Sequence, residues 1–123
     1  MNEYIANLTF LAGHKEEIIA DVRKLTDVEG YNTSQAQKLR EYSTRTQSVK
    51  DLILYIDYQC ARSDKPKFLS ASKQLKEYIE GYEKKYSPYS IEAIRNLLGA
   101  FAWLVVISED KKKKEKGEKH AGK

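Results

Sequence analysis

Between residues 33 and 76 the chain carries nine cations: Lys38, Arg40, Arg45, Lys50, Arg62, Lys65, Lys67, Lys73 and Lys76. They stand against four acids, a local net charge of +5. Such a block suits a polyanion, because each phosphate neutralised by Lys or Arg releases condensed counterions. The more ordinary account of a charge run is a solvated helix face. Within the block, Tyr55, Tyr58 and Arg62 follow Asp51 at i+4, i+7 and i+11, one face of a helix. Tyrosines interleaved with cations can stack unpaired bases while the cations track the backbone. Tyrosines also half-bury at helix contacts with their hydroxyls in water, and Arg62 near a helix C-terminus complements the dipole.

Other chemistry is poorly provided for. His14 and His120 are isolated, and Cys60 is the single cysteine. One cysteine excludes an internal disulfide and points to a reducing, cytosolic setting. On an apolar stripe with no histidine nearby, Cys60 reads as a small buried hydrophobe. No Gly-rich phosphate loop is present. A helical di-iron site needs Glu-x-x-His pairs, and the chain has none. No enzyme activity, no metal and no cofactor are expected.

The elements that position the cations are helical throughout. The spacing predicts a first helix over about 2–25, with Tyr4, Leu8, Leu11, Ile18, Val22 and Leu25 on one stripe and Gly13-His14 as a place for a kink. Residues 26–32 read as a connector. Asn32 or Thr33 caps a second helix to about Thr46, mostly a surface element with Ala36 and Leu39 as its thin apolar content. Ser48 caps a third helix over 49–62, with Val49, Leu52, Ile53, Ile56 and Cys60 inward. Residues 63–67 break the chain at Pro66. A fourth helix over 68–86 turns Phe68, Ala71, Leu75, Ile79 and Tyr82 inward. Lys73/Glu77, Lys76/Glu80 and Glu80/Lys84 are spaced for i,i+4 pairs on its outer side. Ser90 caps a fifth helix over 91–108 that is apolar nearly all round, the mark of a helix at a bundle's centre. The expected fold is all-α: a compact bundle of about five helices over 1–109, followed by a disordered Lys-rich tail over 110–123.

The chain has 123 residues, enough for one domain with a real core. The tail holds seven lysines against three acids and accounts for the formal net charge of +4. Its single apolar residue, Ala121, cannot order it. Residues 1–32 sum to −3 and residues 77–109 to −2, so the basic block is independent of the tail. The N-terminus lacks the basic and apolar regions of a signal peptide. The longest apolar run, Leu97–Ile107, is shorter than the roughly 20 residues a membrane span needs. A cytoplasmic protein with no membrane partner is expected.

Four segments resemble a known family. Asn32-Thr-Ser-Gln-Ala-Gln-Lys-Leu39 is similar to the Thr-Thr-Ser-x-x-Arg-x-Leu opening helix of the small helical subunit of type III-A (Csm-type) CRISPR effector complexes. Tyr58-Gln-Cys-Ala-Arg62 resembles that family's Tyr-Gln-Ala-Gly-Arg, and Lys73-Gln-Leu-Lys-Glu-Tyr-Ile79 its next helix. Arg95-Asn-Leu-Leu-Gly-Ala-Phe-Ala-Trp103 resembles its C-terminal helix. The likeness spans about residues 16–109, and the small subunits of type I-A and III-B complexes are similar in size and helicity. Gln37 replaces the opening-helix arginine, and the lysine tail replaces the family's last residues. The resemblance implies a non-catalytic subunit in antiviral defence. It implies contact with guide RNA and target RNA, or single-stranded nucleic acid, and stacking with other effector subunits and copies of itself. Arg62 and Arg95 match family arginines. With the basic block, the expected binding residues are Lys38, Arg40, Arg45, Lys50, Tyr58, Arg62, Lys65, Lys67, Lys73 and Arg95. The alternative is a helical protein–protein adaptor, viral or archaeal, with no nucleic-acid role.

Overall fold

The computed structural model describes the backbone of residues 3–121 and the side chains of residues 9–114. Five helices run in order, α1 Glu3–Arg23, α2 Thr33–Arg45, α3 Val49–Ala61, α4 Pro66–Lys85 and α5 Ser90–Ala121, with a 3-10 turn at Val28–Gly30 and no strand among the described residues. Helix α1 is continuous through Gly13-His14, so the pair does not split it. A lone helical glycine costs only about 1 kcal/mol relative to alanine, which neighbouring packing covers. Tyr4 and Leu8 of its expected stripe lie outside the described side chains, while Ile18, Val22 and Leu25 are buried.

The connector after α1 is more ordered than its composition suggests. Its 3-10 turn buries Val28, and Tyr31 just beyond is buried too. The Tyr31 ring stacks on Phe68 at 4.4 Å and meets Phe101 edge-on at 4.9 Å. Its hydroxyl shares a 2.6 Å hydrogen bond with Ser72. Gly30 is required here by contact: a Cβ would lie 2.3 Å from the Phe68 nitrogen and 2.4 Å from the Lys67 carbonyl carbon. The turn therefore rests directly on the start of α4.

Capping explains most helix ends. Asn32 accepts from the Gln35 N–H at 2.8 Å while Gln35 accepts from the Asn32 N–H at 2.9 Å, a reciprocal capping box. Ser48 accepts from the Asp51 N–H at 3.2 Å. Pro66 opens α4 rather than preceding it, since its missing N–H is no loss in a first turn. Ser90 is not a cap: it is already helical, and its hydroxyl donates to the Glu83 carbonyl at 2.9 Å.

Helix α5 is the central element, packed against α1, α2, α4 and the 3-10 turn, with α3 lying on α4 and α2. Ala93, Ile94, Leu97, Leu98, Phe101, Ala102 and Val105 are buried, and each large side chain among them contributes roughly 1.5–3 kcal/mol. By length and composition residues 90–114 of α5 could cross a membrane, an 18-residue stretch among them having a mean hydropathy of 1.5, but here the helix forms the core. Its apolar surface is not fully covered: Trp103 and Ile107 are exposed. The helix runs on into the lysine run, where Asp110 to Lys114 are all exposed and add nothing to the core. Without tertiary packing such an extension is marginal as a helix.

Helix α2 is more than a surface element. Ala36, Leu39 and Ser43 bury one stripe against α5. Its ends are clasped by α5 as well. At the start, the Thr33 N–H donates to Glu109 at 3.0 Å, and the Thr33 hydroxyl donates to the same carboxylate. At the end, Arg95 donates to the carbonyls of Ser43 at 2.9 Å and Thr46 at 3.0 Å. Fourteen residues of helix span about 21 Å, which matches the length of α2 laid antiparallel to α5. A carboxylate thus sits at the N-terminus of α2 and a guanidinium at its C-terminus, each favoured by the helix dipole.

Candidate nucleic-acid interface

The basic block is distributed by helix geometry rather than gathered. Residues two apart on a helix point to opposite sides. Lys38 and Arg40 accordingly enter two different grooves, one on each flank of α2.

The first groove, about 440 Å³, lies between α2, the end of α3 and the start of α4. Lys38, Arg62 and Lys65 line it with Gln35 and Gln59, above a floor that includes Tyr31 and Tyr55. Arg62 closes α3 as its C-cap, and its guanidinium donates to the Tyr58 hydroxyl at 3.3 Å and lies 5.4 Å from the centre of that ring. Tyr58 is 56% exposed and free to offer its other face. Tyr55 is fixed instead: it stacks on Tyr42 at 4.3 Å, and the Tyr42 hydroxyl donates to Asp51 at 2.8 Å. That carboxylate raises the Tyr42 hydroxyl pKa, and it also accepts from Thr46 at 2.9 Å. The expected face of Asp51, Tyr55, Tyr58 and Arg62 therefore divides, with the first two inward and the last two outward. One acid, Asp64, sits at the groove.

The second groove, about 710 Å³, lies between α1, α2 and α5. Arg40 enters it from the basic block, and Lys15, Arg23, Arg95 and Lys111 join it. Residues 1–32 sum to −3, yet two of their three cations face this groove. Two acids of α1, Glu17 and Asp21, turn the other way. Asp21 accepts from the Tyr82 hydroxyl at 2.6 Å, and Glu17 accepts from Tyr86 at 3.1 Å and pairs with His14 at 3.1 Å. The His14 and Tyr86 hydrogen bonds hold the Glu17 carboxyl below its ordinary range, and burial with Asp21 drives the Tyr82 hydroxyl upward. Net charge over a stretch of chain conceals this sorting, and only the i,i+4 spacing of Lys15, Ile19 and Arg23 signals it.

The remaining expected residues stand apart. Lys67 pairs with Glu29 at 2.9 Å, a contact that lowers the Glu29 pKa. Lys76 pairs with Asp57 across to α3 at 2.7 Å, and none of the expected i,i+4 pairs of α4 forms an ion pair among the described residues. Lys50 lies beside Glu77, Glu80 and Glu83, an acidic strip of α4. Arg45 and Lys73 are exposed. Cys60 is half-buried against the core. Among the described residues no three His, Cys, Asp or Glu side chains converge as metal ligands. No protein-family model matches the chain, and comparison with curated proteins and with solved structures finds no match.

Proposed function

We propose that this protein is a non-catalytic, nucleic-acid-binding helical subunit of a CRISPR-type RNA-guided effector ribonucleoprotein. The observation that carries the binding role is the groove of Lys38, Arg62 and Lys65, three cations from three elements around one cavity beside the exposed Tyr58. Their spread over the ends of α3 and α4 and the middle of α2 suits a phosphate backbone, which needs several charges at different points along a track. The resemblance of residues 32–39, 58–62 and 95–103 supports the effector assignment. In this reading guide or target RNA is the partner, the protein works in the cytoplasm, and it needs neither cofactor nor membrane. Copies of the chain associate through charge, the acidic strip Glu77, Glu80 and Glu83 being the complement of a basic groove. Anisotropy of a labelled single-stranded oligouridine tests the reading. Binding at low salt that falls sharply in the Lys38→Gln/Arg62→Gln/Lys65→Gln variant supports it, and undiminished binding in that variant removes the groove from the interface.

A further inference from the structure

The groove between α1, α2 and α5 presents an arrangement the basic block did not suggest. Trp103 is 69% exposed, and Ile107 and Ile19 beside it are 49% and 38% exposed. All three line the groove. On α1, Lys15, Ile19 and Arg23 recur every four residues; on α5, Gly99, Trp103, Ile107 and Lys111 do the same. Each stripe thus sets cations beside an apolar centre, and the α5 stripe runs for about 18 Å. Arg40 of α2 closes the third side. Its Nε stands 3.8 Å from where a Cβ on Gly99 would lie, one turn before Trp103, and Arg40 also lines the small cavity on the other edge of the indole. No carboxylate lines the groove. Lys15, Arg23, Arg40 and Lys111 make no ion pair among the described residues, while Arg95 is turned to the carbonyls that end α2.

We propose that this groove is a second track for single-stranded nucleic acid, in which a base stacks on the Trp103 indole and Lys15, Arg23, Arg40 and Lys111 meet the phosphates. An aromatic platform in a positively charged groove is what binds a strand without reading its sequence. The proposal rests on the nucleic-acid reading but uses different residues, so the two can fail separately.

Trp103 is the only tryptophan among nine tyrosines, so tryptophan emission excited beyond the tyrosine band reports this groove. The full chain is titrated with an oligouridine 15-mer while tryptophan emission and the anisotropy of a labelled copy are recorded. Saturable quenching of Trp103 is expected, abolished by Arg40→Glu. Trp103→Leu, at an exposed position, is expected to weaken anisotropy-detected binding about tenfold. Binding seen by anisotropy with unmoved tryptophan emission overturns this proposal and leaves the Lys38 groove standing. Emission that responds to poly-glutamate or to anionic phosphatidylglycerol vesicles, but not to the oligomer, also overturns it and marks a protein or membrane surface. No oligomer binding by either signal contradicts both readings.

Discussion

On the α3–α4 side of α2, Lys38, Arg62 and Lys65 surround a floor of ring-stacked tyrosines, whereas on the α1–α5 side Arg40, Lys15 and Arg23 surround an uncovered indole. The first floor is fixed by a hydrogen bond between Tyr31 and Ser72 and one from Tyr42 to Asp51. The second has no such ties, and its apolar centre is left to solvent. Local charge along the chain and charge on a surface are therefore separate quantities. Two cations of one three-residue stretch of α2, Lys38 and Arg40, serve the two grooves, and each groove is completed by residues distant in sequence.

The largest expected effect falls on the first groove alone. Gly30→Ala would drive a methyl into the backbone of Lys67 and Phe68, pushing the Tyr31 turn off α4. A loss of about 3 kcal/mol in urea unfolding is expected, toward the upper end for overpacking. Oligouridine binding to the folded fraction should fall while Trp103 emission stays native. A neutral substitution would show that the turn does not rest on α4. Next in size, Arg95→Ala removes two charge-assisted bonds to the end of α2, the helix both grooves share. A loss of about 2 kcal/mol is expected by the same measurement, and an unchanged midpoint would sink the clasp.

Much of the architecture was legible in the sequence. The inward stripe of α4 from Phe68 to Tyr82 follows helical spacing without exception, and Asn32 and Ser48 cap as their residue types require. Two features were not legible because long-range contact makes them. Gln74 binds the Thr26 backbone and Tyr31 binds Ser72, which turns a polar connector into a packed one. The α1 cations reach their groove only because Glu17 and Asp21 are engaged by α4 tyrosines on the opposite face. For the same reason an all-round apolar pattern in α5 could not say that Trp103 would be left uncovered.

Smaller effects sharpen the second groove. Gly99→Ala places a Cβ at ordinary contact distance from Arg40, so the helix propensity gain of about 1 kcal/mol should appear in unfolding with no loss of Trp103 quenching. Destabilisation there would mean that Arg40 lies closer to α5. The smallest effect concerns pH. The Thr33 hydrogen bonds hold the Glu109 carboxyl below its usual 4.5. The folded state therefore binds fewer protons than the unfolded chain near that value. Its stabilisation is full above pH 4.5 and is lost as pH falls through the lower folded value. Glu109→Gln should flatten the fall in Tm over that acid window, and an unaltered profile would separate Glu109 from the start of α2.

Whether the folded body, and not merely the lysine tail, binds nucleic acid is read from the salt dependence of oligouridine binding. Wild-type protein is compared with the Lys38→Gln/Arg62→Gln/Lys65→Gln variant, both with the tail intact. Three lost phosphate contacts should reduce the slope of log K against log salt by about 2. Equal slopes for the two proteins, with Trp103 emission unmoved by the oligomer, would place the binding in the tail and contradict the account.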